Sequence, residues 1–325
     1  MSDDGDEHIP AELRAQDSEV DYDLDNALGA MVSLRARVPE DAFTASILGT
    51  ERAGHGVVVN DAGLIVTIGY LVTEADEIWI ITARGQAVPG HLLGYDYETG
   101  FGLVQALGRL DGPVMPLGSA AGLHVGETLV LAGHGGRSAA LRVRVTARHE
   151  FAGYWEYVLD DALFTAPPHP NWGGAALIAP DGRLAGIGSL YVDQLVATLP
   201  EVDGNMIVPI DLLLPIVDEL AHYGRTLKPA RPWLGMFVSE VDGHFVVAGT
   251  YQDAPAARAG VAAGDVVTSV SGSCPETLAD LFRAVWASGT AGCPVALALE
   301  RDDEPLALIV ESVDRRDFWK APDLH

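Results

Sequence analysis

Lysine is almost missing from this chain: of 20 basic residues in 325, only Lys228 and Lys320 are lysines and the other 18 are arginines. Positive charge of any kind is scarce. With 46 acids against 20 bases the formal charge is −26, a field that repels phosphate backbones and anionic headgroups and so excludes nucleic-acid and membrane-surface partners. Two cysteines, Cys274 and Cys293, make no disulfide framework and are read as reduced thiols. No apolar run approaches the ~18 residues of a membrane span. The opening MSDDGDEHIPAELRAQDSEVDYDLD lacks the basic-then-apolar pattern of a secretory signal, so a cytoplasmic location is expected. Nor is there Cys/His/carboxylate spacing of the zinc type, so no metal and no cofactor are expected.

What is present is ordinary globular composition, 48% hydrophobic and 20% charged, with 36 glycines and 19 prolines that point to short elements joined by tight turns. Residues 1–25 hold ten acids and one base, Arg14, and read as a disordered, solvated tail. From about Leu28 to Val208 short β runs follow one another, among them LIVTI (64–68), IWIIT (78–82), TLVLAG (128–133), YWEYVL (154–159) and LAGIGSL (184–190). Asn60-Asp61-Ala62-Gly63 is a hairpin turn between two of them. Asp211–Gly224 carries Leu213, Ile216, Val217 and Leu220 at helical spacing, which predicts one helix ended by Gly224. TLKPARP (226–232) reads as a linker. Beyond it come five β runs and one helix over about 276–287.

The order of these pieces, with HGVVVNDAGLIVT (55–67), GYDYETG (94–100), PLGSAAGLHVGETLVLAG (116–133) and DAPAARAGVAAGDVVTSVSG (253–272), resembles the HtrA/Deg family of serine proteases. The resemblance implies a mainly β chain. A chymotrypsin-like double β-barrel would span 26–225, a linker 226–231, a PDZ domain 232–316 and a tail 317–325. It also implies three catalytic positions. The histidine pattern V-T-N-N-H-V-V meets VTIGYLV, placing Tyr70 at the base. The aspartate pattern D-x-x-T-D-L-A-V meets DYETGFGL, placing Gly100 at the orienting carboxylate. The nucleophile pattern P-G-N-S-G-G-P-L meets HPNWGGAA, placing Trp172 at the serine. Pro170, which has no N–H, stands at one oxyanion-hole position. Slippage does not restore the set, because no serine lies between Ser138 and Ser189 and no histidine between His55 and His91. A phenol is no base at neutral pH, glycine orients nothing, and an indole donates but does not attack. The expectation is a catalytically inactive pseudoprotease with Trp172 plugging its cleft.

Other candidates are weaker. His134 and His169 read as partly exposed loop histidines, the alternative being a relocated base, with Thr165 or a bound metal, in an active hydrolase. Asp96 reads as a turn cap. The one device expected to work is the PDZ groove. Trp233, Leu234, Gly235 and Met236 resemble the loop whose backbone N–H groups hold a peptide's C-terminal carboxylate, with the peptide adding as a strand beside Met236–Val238. Leu278, Leu281, Phe282 and Val285, at i, i+3, i+4 and i+7, would floor a pocket for an apolar terminal side chain. The partners implied are protein C-termini or exposed β-segments, in a scaffolding role or as the regulatory subunit of another enzyme or an active paralogue. By family analogy a homotrimer would form through Tyr22, Leu24, Leu28 and Met31.

Overall fold

The computed structural model describes residues 9–193 and 203–320. Contacts divide the chain into two units, one of Met1–His149, Asp161–Thr226 and Lys320–His325, the other of Glu150–Asp160 and Leu227–Trp319.

In the first unit, α1 (Leu24–Gly29), capped by the Asp23 carboxylate on the Asn26 N–H, leads into β1 (Met31–Arg37). A short α2 (Ala45–Leu48) precedes β2 (Glu51–Val58), β3 (Leu64–Ile68), β4 (Glu77–Thr82), β5 (Ala87–Tyr95) and β6 (Phe101–Ala106). These close an antiparallel barrel in the order β1-β2-β3-β6-β5-β4. Period-2 alternation explains the strands: on β4, Ile78, Ile80 and Thr82 are buried while Glu77 and Trp79 face water. The second barrel, in the order β10-β11-β12-β9-β8-β7, is built from β7 (Thr128–Ala132), β8 (Ala140–Gly153), β9 (Tyr157–Ala166), β10 (Ala176–Ile178), β11 (Leu184–Val192) and β12 (Gly204–Pro209). Leu131, Val145, Leu163, Leu177, Ala185 and Ile207 are among the side chains of its core.

Three expectations need correction here. The acidic segment is not a solvated tail over its described part: Ile9 joins the second barrel's core, and the Ala15 N–H donates to the Ala140 carbonyl. Its acids also meet arginines, Asp17 and Asp25 pairing with Arg137 and Glu19 with Arg142. Residues 1–8 lie outside the described residues. The helix expected over Asp211–Gly224 is shorter: a 3-10 turn at Ile210–Leu212, then α3 only over Val217–Tyr223. Pro215 falls before α3, where its missing N–H costs nothing, and Leu213, Ile216 and Leu220 are buried as the spacing demands. Finally, Leu24, Leu28 and Met31 are each no more than 2% exposed. They belong to the chain's own core and are not free for a trimer contact, while Tyr22 is half-buried with its hydroxyl covered.

The second unit contains an antiparallel sheet in chain order, β13 (Met236–Val241), β14 (His244–Thr250), β15 (Val266–Val270), β16 (Pro294–Arg301) and β17 (Glu304–Glu311). Helix α4 (Pro255–Ala259) begins with a proline and ends on Gly260 in the left-handed region. Helix α5 (Leu278–Ala287) is capped by the Thr277 hydroxyl on the Asp280 N–H. The expected tail from 317 is placed as far as Lys320: Phe318 stands 5.1 Å from the Trp233 ring, and the Lys320 N–H donates to the Glu74 carboxylate. The unit also takes in residues 150–160, the hairpin tip where β8 turns into β9. Tyr154–Leu159 was expected to be strand throughout, but the strand starts at Tyr157 and Glu156 sits at φ +61° in the turn.

Candidate functional site

The barrel positions singled out from the sequence come together. Tyr70 lies in a 3-10 turn (Gly69–Leu71) directly after β3, and Gly100 directly before β6. Ile68 pairs with Phe101 across the two strands, and the Gly69 N–H donates to the Gly100 carbonyl at 2.7 Å. The close approach needs glycine, since a Cβ on Gly69 would lie 2.0 Å from the Tyr95 ring. Trp172 arrives from the loop before β10. Its neighbour Gly173 stands against the phenol, where a Cβ would lie 3.0 Å from the Tyr70 hydroxyl. The phenol donates to the Ser189 carbonyl at 2.9 Å. Burial pushes the phenol's pKa well above its usual value, so it stays protonated. The Tyr191 ring lies 5.5 Å from the Trp172 ring. Gly100 has φ +88°, which glycine adopts freely and an aspartate adopts under strain.

The backbone of the same loop is turned inward. Pro170 has no N–H, the Asn171 N–H donates to His169 Nδ1, and those of Gly174 and Ala175 donate to the Gly188 and Trp172 carbonyls. His169 is buried at 1% exposure and not a partly exposed loop residue; its Nε2, which carries the proton, faces the Ala139 carbonyl at 3.1 Å. With both nitrogens engaged it is not poised toward Thr165, whose buried hydroxyl has no partner among the described residues. His134 uses Nε2 on the Thr82 carbonyl and its backbone N–H on His55 Nδ1. His55 thus carries its proton on Nε2, buried without a partner among the described residues and fitted against Gly133, where a Cβ would clash at 2.7 Å. Burial, with His169 and His134 nearby, lowers the His55 pKa to about 4. Among the described residues no three His, Cys, Asp or Glu side chains group as a metal site. Asp96 accepts the Thr99 N–H and hydroxyl, closing the turn before Gly100.

In the second unit the loop that resembles a carboxylate-binding loop has the geometry of a nest. The N–H groups of Leu234, Gly235 and Met236 converge, with Gly235 at φ +73° and packed so closely that a Cβ would meet Ala254 at 2.4 Å. All three donate to one carboxylate, that of Glu156, at 3.2, 2.7 and 3.2 Å. Burial pushes the Glu156 carboxyl up to about 7, against the pull of these donors and of the nearby Arg315 guanidinium. Trp233 is buried and lies outside the nest, its backbone N–H donating to the Val313 carbonyl. Leu281, Phe282 and Val285 are buried in the domain's core, with Leu278 packed at its margin.

A trypsin-like peptidase domain model matches residues 54–187 and a PDZ domain model residues 232–311. Probable periplasmic serine endoproteases of the DegP-like type are 27% identical over 266 residues in Pseudomonas fluorescens (77% of this chain, 53% of that protein) and 26% over 246 in Pseudomonas putida (70% and 49%). Among solved structures, the HtrA-type protease AlgW with a tripeptide aligns with TM-score 0.52 at 20% identity (90% of this chain, 97% of that one). A serine endoprotease from Yersinia pestis aligns with TM-score 0.52 at 21% identity (91% and 99%). The chain is HtrA/Deg-like.

This HtrA/Deg-like chain spans about half the length of the curated relatives it matches. The expected cytoplasmic location does not stand: those relatives are named as periplasmic, and the composition of the first 25 residues was too thin a ground. Sequence reasoning missed two residues of these sites. His55 sits inside a quoted motif, but its role depends on His134 and His169, far along the chain. Glu156 is hidden in an aromatic-rich run that reads as strand, and its three donors lie about eighty positions away.

Proposed function

We propose that this HtrA/Deg-like protein is a pseudoprotease that binds protein chain ends or β-segments through its PDZ groove and does not cut them. One observation carries the reading. At the two positions that must exchange a proton during acyl transfer stand a phenol, whose proton goes to the Ser189 carbonyl, and an indole, which carries no nucleophile. Loss of the triad where measured costs about 10⁶ in rate, and loss of one oxyanion donor about a further 10²–10³. The groove has the complementary property, a converging set of backbone donors of the kind that recognises a carboxylate. The names of the relatives carry the periplasm as the compartment in which this binding would take place.

The test is cleavage of unfolded casein together with labelling by a fluorophosphonate probe, each run on the wild-type protein and on Trp172→Ala. Neither protein should cleave or label. Cleavage by the wild type that disappears in Trp172→Ala would refute the non-catalytic reading.

A further inference from the structure

We infer that Glu156 is an internal ligand of the PDZ groove: the hairpin 150–160 occupies the site in the manner of a bound chain end, and an external peptide binds by displacing it. This rests on reading the groove as a peptide site, and goes beyond it by naming what already fills that site.

The register carries the inference. A peptide adding to β13 places its terminal carboxylate in the nest and its preceding backbone along the strand edge. The hairpin does both. Glu156 fills the nest, and two residues earlier the Tyr154 carbonyl accepts the N–H of Val238, two residues beyond Met236, at 2.9 Å. Tyr154, Trp155 and Glu156 therefore match the last three residues of a strand-adding ligand, with a side-chain carboxylate in place of a terminal one. The left-handed backbone at Glu156 lets the chain turn away where a true ligand would stop. Tyr154 lies 5.9 Å from the Phe237 ring, and beyond the turn Val158 enters the apolar cluster that contains Leu281, Phe282 and Val285. The hairpin is held in shape by its own rings, Trp155 stacking on Tyr157 at 5.7 Å and 15°. Helix α5 grips its base, Arg283 bridging Glu150 and Asp160.

Such an arrangement makes the ligand class specific. A competitor needs a free carboxylate to replace Glu156 and an extended backbone to replace Tyr154. An aromatic side chain two residues before the end would take over the place beside Phe237. An amidated or internal segment offers no carboxylate to the nest.

The experiment uses the full chain as wild type, Glu156→Ala and Glu156→Gln. Hydrogen exchange of residues 234–238 reads the internal contact directly. Fluorescence anisotropy with fluorescein-labelled Phe-Ala-Gly-Tyr-Trp-Val, as free acid and as carboxamide, reads access from outside. In Glu156→Ala, exchange of 234–238 should rise at least tenfold, and the free acid should bind at least tenfold more tightly than to wild type, with the carboxamide weak on both. Glu156→Gln keeps the side chain's shape and should fall between, so it carries the same test if the alanine variant fails to fold. Exchange that rises while neither peptide binds any variant keeps the internal ligand and removes the peptide-binding reading. Exchange of 234–238 unchanged in both variants overturns the internal ligand, whatever the peptide does.

Discussion

On the function proposed above, the cleft of the barrels and the groove of the PDZ domain are closed by opposite means. In the cleft, groups that cannot react stand at the catalytic positions, and the Tyr70 phenol gives its proton to the Ser189 carbonyl. In the groove every recognition element is in place, and a side chain of the same chain uses it. The first closure is chemical and is undone only by replacing residues. The second is an equilibrium between an internal and an external carboxylate. A fold that retains a site's backbone while losing its chemistry keeps the architecture without the reaction; one that retains the donors and fills them keeps the function in reserve.

The comparison is sharpened most by breaking the cleft's backbone. Gly174 has φ +79°, and a Cβ there would lie 1.9 Å from the His55 carbonyl oxygen. Gly174→Ala should therefore destabilise the barrel unit by about 3 kcal/mol or more, visible as a lower melting temperature. A melting temperature within a degree of wild type would mean the loop relaxes freely and its conformation is not required. Acidity gives a second, somewhat smaller contrast, of opposite sign in the two regions. The His55 pKa is depressed from 6.5 to about 4, so the stability its neutral form contributes is complete above 6.5 and lost as pH falls through about 4, on the order of 3 kcal/mol. The Glu156 pKa is raised from 4.5 to about 7, so its contribution to the docked hairpin is complete below 4.5 and lost as pH rises through about 7. Denaturant titration of the barrel from pH 7 to 4 should show the first loss, and His55→Gln should flatten it. Exchange of 234–238, corrected for intrinsic rates, should quicken from pH 5 to 8, and Glu156→Gln should remove that dependence.

Both regions were legible in the sequence to different depths. The strands declared themselves because alternation such as Ile78, Ile80 and Thr82 is local, and the positions of Tyr70, Gly100 and Trp172 followed from short patterns anchored in those strands. The helix over 211–224 was read too long because Leu213, Ile216 and Leu220 keep the same spacing whether Pro215 sits in a first turn or in a loop. The acidic segment read as solvated because its bases, Arg137 and Arg142, are more than a hundred positions away. Glu156 was illegible for the same reason: nothing in Tyr-Trp-Glu-Tyr announces a left-handed turn, and its partners are set by the tertiary fold.

The smallest effect separates the ligand from its tether. Arg283 bridges Glu150 and Asp160, but its side chain is 40% exposed and that of Asp160 is 85% exposed, so water screens both pairs. Arg283→Ala should weaken hairpin docking by less than about 1 kcal/mol, a few-fold change in exchange at 234–238 that high salt reproduces in the wild type. Combined with Glu156→Ala, its effect should nearly vanish, because a hairpin already released has no docked state for the arginine to favour. If Arg283→Ala opened the groove as far as Glu156→Ala does, the ion pairs on α5 would be the clasp and the carboxylate in the nest a passenger. The difference between the two regions would then lie in surface charge and not in a borrowed ligand.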